Sequence, residues 1–163
     1  MRSLSVPFFT TLLVVLAFFT LRSFADLPVQ LAVHFRSDGT ADRWATREHY
    51  RSLIFVLLVS APLILVWIMA GLPRLTKGKG QIPYAAYWFA DEHRKATSHF
   101  LLQHACWLGS LTAAAIYGLH ILITRANTTN PPSLATNDLF TMVFVYLIGL
   151  AWWLQALLKR FRR

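Results

Sequence analysis

Six histidines and seven carboxylates are the side chains of this 163-residue chain that could move protons, hold a metal or ligate a ring cofactor. Three of them, His99, His104 and His120, lie in or beside one long apolar run, where an ionisable side chain is a functional candidate by default. On a helix, however, His99 and His104 stand about 140° apart and His104 and His120 about 160° apart, so the three do not converge on one ligand. A zinc site from His93 with His99 or His104 lacks the usual short ligand spacing, and no Cys-x-x-Cys accompanies it. A b-type haem needs two axial imidazoles, and the other apolar runs contain no histidine, whereas a chlorophyll-type pigment needs one, which His104 or His120 could supply. The residues thus imply no metal and no cofactor, with a tetrapyrrole pigment as the alternative; histidines hydrogen-bonded to neighbouring helices are the simpler account. His34 and Asp42 could do acid–base work, but no nucleophile is visible beside them, and no phosphate loop, nucleophile elbow or zincin helix occurs. The chain reads as non-catalytic.

Membrane helices must position these groups. The composition is 56% hydrophobic and 14% charged with a mean hydropathy of +0.47, far from the quarter or so of charged residues in a soluble domain. A single integral membrane domain over 1–163 follows, and the lone Cys106 excludes an intramolecular disulfide. Crossing roughly 30 Å of hydrocarbon takes about 20 helical residues. Charge-free runs place spans at about 4–21, 52–73, 97–124 and 139–158, and none shows the alternation of a membrane barrel. The expected fold is an all-α four-helix transmembrane bundle with a short, hairpin-like external loop and an interfacial cytoplasmic helix. Pro62 should kink the second span, and Ser110, Ala114 and Gly118 should form a packing seam on the third.

Sixteen Lys and Arg against seven Asp and Glu give a net charge of +9. Arg2, Arg74, Lys77, Lys79, Arg94, Lys95, Lys159, Arg160, Arg162 and Arg163 fall on one side of the spans. The other side holds Arg22, Arg36, Arg43, Arg47, Arg51 and Arg125, largely offset by Asp26, Asp38, Asp42 and Glu48. Both termini are therefore expected in the cytoplasm, and the terminal KRFRR reads as an orientation signal or a contact for anionic lipid rather than for nucleic acid. Arg2 and Ser23-Phe24-Ala25 also fit a cleaved signal peptide, but the apolar region is longer than usual for one and Arg22 sits at the cleavage region, which favours retention.

Two loops stand apart. In the external loop Val29, Leu31, Val33 and Phe35 alternate with polar or small residues, suggesting a short extended segment that runs into the turn signal Ser37-Asp38-Gly39-Thr40. Its charges with His34 and Trp44 form either a binding surface or a solvated loop whose charges pair locally. In the cytoplasmic loop Tyr87, Trp88, Asp91, Glu92, Arg94 and Lys95 suit a short helix in the interface, with Asp91 and Lys95 as an i,i+4 pair. Tyr84, Tyr87, Trp88, Trp152 and Trp153 read as belt residues.

These two loops resemble the signatures of the SdpI-like bacterial membrane proteins, a family defined by a domain of unknown function. The external part of the resemblance rests on Pro28, His34, Phe35, Gly39 and Asp42, and the cytoplasmic part on Pro83, Tyr87, Trp88, Ala90, Glu92 and Arg94. The chain departs from that pattern at Gln81-Ile82-Pro83-Tyr84 and Asp91-Glu92-His93. The resemblance implies a membrane bundle in a bacterial inner membrane and, for part of the family, toxin immunity or signal transduction. Two functions follow as expectations. In one, a sensing, immunity or signalling protein recognises a peptide or envelope component through His34 to Trp44 and passes its state inward through Tyr87 to Lys95. In the other, an accessory subunit packs against a larger membrane complex and touches pigment or lipid.

Overall fold

The computed structural model of the protein describes residues 4–162; Arg2 and Arg163, counted among the cations above, lie outside the described residues. Four helical segments are long and apolar enough to cross a membrane, Ser5–Asp26, Arg47–Thr76, Asp91–Ala126 and Thr136–Phe161, consistent with a multi-pass membrane protein. The elements are α1 (Ser5–Ser23), β1 (Gln30–Phe35), β2 (Ala41–Thr46), α2 (Arg47–Val66), α3 (Leu72–Thr76), α4 (Ala85–Trp88), α5 (Asp91–Ala126) and α6 (Thr136–Phe161). A 3-10 turn at Phe24–Asp26 ends α1, and a π turn at Trp67–Gly71 joins α2 to α3. The fold is thus mainly helical but not all-α, because the hairpin-like loop is a true two-stranded antiparallel sheet.

The helices overrun the charge-free runs. At 36 residues α5 is about 54 Å long against roughly 30 Å of hydrocarbon, so the turns bearing Asp91, Glu92, Arg94 and Lys95 can extend past it. Charge limits a span, not a helix. The expected interfacial helix correspondingly shrinks to the single turn α4, while Asp91 to Lys95 belong to the start of α5, and Asp91 and Lys95 form no ion pair.

α5 is the hub, packing on α1, α2 and α6. Phe9 and Leu13 of α1 and Leu58 of α2 bury against Cys106 and Ala113 of α5. The seam of small residues differs from expectation. The small residues that meet α1 and α2 are Gly109 and Ala113, both buried, with Ser110 beside them donating to the Cys106 carbonyl at 2.8 Å. A Cβ on Gly109 would lie 2.8 Å from the Phe9 ring and 3.1 Å from Val66. Ala114 is exposed, and Gly118 faces Met142 of α6 instead. Because α5 meets partners on several sides, its small residues are divided among faces.

α2 runs through the buried Pro62 without interruption, and the irregular stretch falls at Pro73. A proline has no N–H to give the carbonyl four residues back and its ring crowds that carbonyl. The preceding turn widens, so that the Leu72 N–H reaches back five residues to the Trp67 carbonyl. α6 is the loosest member; only Phe161 of it is buried.

Gly109→Ala and Gly149→Ala should separate the tight seam from the loose one. The Gly109 Cβ meets a buried aromatic ring, so overpacking should cost about 1–3 kcal/mol of stability in detergent unfolding titrations. Gly149 faces only the flexible Leu111 side chain, and its variant should be neutral or gain from helix propensity.

Candidate functional site

The β1–β2 hairpin is built around its tip. Gly39 holds φ at +85°, its N–H donates to the Arg36 carbonyl at 2.9 Å, and the Arg36 N–H donates to Thr40 O at 2.8 Å. Asp38 Oδ1 accepts from both the N–H and the hydroxyl of Thr40, at 2.9 and 2.7 Å. The tip is docked on the α5–α6 connection: Leu134 N–H donates to Gly39 O at 2.9 Å, Thr40 bridges Ser133, and any Cβ on Gly39 would collide with the Leu134 carbonyl. Asn127, at the end of α5, clamps the base of the hairpin. Its Oδ1 accepts from Ala32 N–H at 2.8 Å, and its Nδ2 donates to Ala32 O and Ile123 O, each at 2.9 Å. Arg47 adds a donor to Leu27 O at 2.9 Å.

The regular alternation read from sequence is broken by bulges between Ala32 and Phe35. Leu31 and Ala32 are both fully buried, whereas Val29 is exposed. Phe35 turns inward onto Leu122 and Leu134, so it serves packing. His34 and Asp42 do meet, His34 Nδ1 lying 2.6 Å from Asp42 Oδ1, with Arg36 Nε 3.7 Å from the other carboxylate oxygen. Trp44 lies on the same hairpin, 55% exposed. The His34 hydrogen bond, helped by nearby Arg36 and Arg43, holds the Asp42 carboxyl below its ordinary 3.8, and the Thr40 hydroxyl does the same for Asp38. Local charge pairing and an exposed surface thus coexist.

Directly beneath, His120 is 1% exposed and lies among Phe24, Tyr50 and Tyr117. Its ring nitrogens sit 2.7 Å from Ser23 Oγ and 2.9 Å from the Tyr50 hydroxyl. Ser23 gives its only hydroxyl proton to the Thr20 carbonyl at 2.7 Å, so its oxygen accepts from His120 Nε2–H. Nδ1 is then the lone-pair nitrogen and accepts from Tyr50 O–H. One directed chain, Tyr50 to His120 to Ser23 to Thr20, joins α2, α5 and α1. Sequence reasoning found His120 and missed Ser23, Tyr50 and Asn127; Ser23 was absorbed into a cleavage motif, and Tyr50 and Asn127 sit at helix ends without spacing that marks them.

At the opposite end, Trp88 is buried under Phe161 with the Arg160 guanidinium 4.5 Å over its ring, which makes it a packing residue rather than a belt residue. Tyr87 meets Trp88 edge-on and His93 at a tilt, Pro83 lines a cleft, and Glu92 and Arg94 are exposed and form no ion pair among the described residues. Trp153 donates its indole N–H to the His104 carbonyl at 2.8 Å, so it fastens α6 to α5, while Trp152 is 75% exposed. The His104 ring stacks on Phe100 and its buried Nε2 has no hydrogen-bond partner among the described residues, beside an aromatic cleft of about 460 Å³ that includes Trp107 and Trp152. Of the two pigment candidates, His120 has both nitrogens engaged, whereas His104 keeps Nε2 for an axial ligand role. No group of three or more His, Cys, Asp or Glu is placed to hold a metal among the described residues. No family model, curated protein or solved structure matches the chain.

Tyr50→Phe should leave His120 Nδ1 buried without a donor and cost about 1–3 kcal/mol in detergent unfolding titrations. Acidification should loosen the hairpin tip. Asp38 and Asp42 have folded values below their unfolded ones, so their contribution is complete above the ordinary 3.8 and is lost as pH falls through the lowered folded values. Amide exchange at Gly39 and Thr40, corrected for the intrinsic pH dependence, should show protection falling in that acid range and not between pH 5 and 7.

Proposed function

We propose that the protein is a small non-catalytic membrane protein that senses, confers immunity to or signals the presence of an external peptide or envelope component through its hairpin. The observation that supports this reading is the preorganisation of that hairpin. Asn127, Arg47 and Leu134 hold its backbone while Arg43, Trp44, Arg36 and His34 stay exposed. A rigid scaffold carrying exposed aromatic and cationic side chains suits recognition with little ordering cost. Asn127 occupies β1 at Ala32, leaving β2 as the edge on which an extended, acidic segment could lie. The likeness of Pro28, His34, Gly39 and Asp42 to the SdpI-like pattern supports the same role.

In this reading the first span is retained, since cleavage after Ala25 would strip Phe9, Leu13 and the Ser23 hydrogen bond from the bundle. Arg74, Lys77, Lys79, Arg94, Lys95, Lys159, Arg160 and Arg162 belong to the ends away from the hairpin, which supports a bacterial inner membrane orientation with both termini cytoplasmic. The hairpin then faces outward, and the α4 region and the start of α5 carry the state inward.

A second reading is favoured by one observation. α6 buries only Phe161 and displays Phe140, Phe144 and Trp152, a face on which an accessory subunit could contact a larger complex, with His104 beside it for a pigment. A photo-crosslinking residue placed at Trp44 or at Phe144, followed by mild-detergent extraction, size separation and absorption spectroscopy, distinguishes the two. The sensing reading expects an adduct at position 44 that disappears in the Gly39→Val background, in a colourless small species. An adduct confined to position 144 within a large or coloured assembly would overturn it.

A further inference from the structure

The ends of the helices away from the hairpin enclose a cleft of about 350 Å³ that no loop motif explains. The π turn contributes Ile68 and Met69, the loop before α4 contributes Ile82 and Pro83, and α6 contributes Leu157 and Phe161. The cleft lies within the size range of small-molecule sites, about 300–1,000 Å³. Its one charged lining residue is Arg162, and none is acidic. A second groove of about 260 Å³ runs along the outside of α6 through Ala151, Leu154, Gln155 and Leu158 and ends at Lys159 and Arg162. The two share Leu158 and Arg162.

The spacing of the groove residues, at i, i+3, i+4, i+7, i+8 and i+11 from Ala151, puts them on one helical face about 16 Å long. Along that face side chains change from mainly apolar to cationic towards the C-terminus. Lys159 and Arg162 form no ion pair among the described residues, and neighbouring Arg160 is taken up over the Trp88 and Phe100 rings. Two apolar channels that meet at a pair of uncompensated cations have the layout of a two-chain lipid with an anionic head. We infer that this end of the bundle is a specific site for one anionic diacyl phospholipid, one acyl chain in the cleft, the other along α6, and the head phosphate at Arg162 and Lys159. A peptide occupant would need backbone partners, which these apolar walls do not offer. The inference uses the four-helix membrane architecture and is independent of what the external hairpin recognises.

Native mass spectrometry of the purified full chain, with added phosphatidylglycerol or phosphatidylcholine of identical chains, tests it. The wild type should retain a single phosphatidylglycerol preferentially. Lys159→Gln with Arg162→Gln should lower that retention about fivefold or more per cation removed, leaving phosphatidylcholine retention unchanged. Ile82→Trp, which fills the cleft, should abolish preferential retention while both cations remain. Circular dichroism melts confirm that each variant is folded, and Arg94→Gln, a cation away from the cleft, should behave as wild type. Equal retention of the two lipids by the wild type, or an unchanged ratio in the double variant, would overturn the site. Displacement of phosphatidylglycerol by millimolar inorganic phosphate would also overturn it, because the site would then belong to a soluble anion.

Discussion

An imidazole inside an apolar bundle has two polar nitrogens and no solvent to satisfy them, and leaving either bare costs more than a hydrogen bond returns. His120 therefore dictates much around it. One nitrogen needs an acceptor and the other a donor, which fixes Ser23 at the end of α1 and Tyr50 in the first turn of α2 against the same side of α5. Phe24, Leu27, Leu31 and Ile54 close over the group, so the polar chain is also the floor of the β1–β2 hairpin. Displacing any of the three helices at this level breaks a hydrogen bond that lipid cannot replace.

Above that floor the hairpin gains its order from outside itself. An isolated two-stranded ribbon is marginal in water. Here its tip is bonded to Leu134 and its bulged strand to Asn127, both from the segment linking α5 to α6. The helices thus support the loop, and the loop in turn covers the ends of α1 and α5. That mutual dependence explains how a short exposed segment can present His34, Arg43 and Trp44 in fixed directions.

Much of the architecture was legible because the bilayer imposes a simple length-and-charge rule on sequence. The four spans and the turn at Asp38-Gly39 follow from it and from local backbone chemistry. Helix ends were not legible, since a charged residue such as Lys95 or Arg125 ends a hydrocarbon run without ending a helix. The seam was displaced because the pattern Ser110, Ala114, Gly118 carries no information about which of several neighbours each residue meets. Of the hairpin candidates, His34 and Asp42 meet in an exposed pair, while Phe35 packs inward on the apolar face that its alternation with Leu31 and Val33 marks; the bulges add Ala32 to the buried set. Tyr50, Ser23 and Asn127 could have been found only by asking what a buried histidine and a docked strand must bond to.

The π turn at Trp67–Gly71 sets how the second span tolerates a change in length. A turn that reaches back five residues holds one residue more than an ordinary helical turn, and so it can absorb an insertion without rotating the helix on either side. Leu58 and Pro62 keep facing the core while Arg74 keeps its direction at the far end. This second span is thus the place where a one-residue difference in length could arise between otherwise similar chains without disturbing either end. Shortening it there would straighten the helix and bring the Pro73 ring back against a carbonyl, a cost confined to one turn.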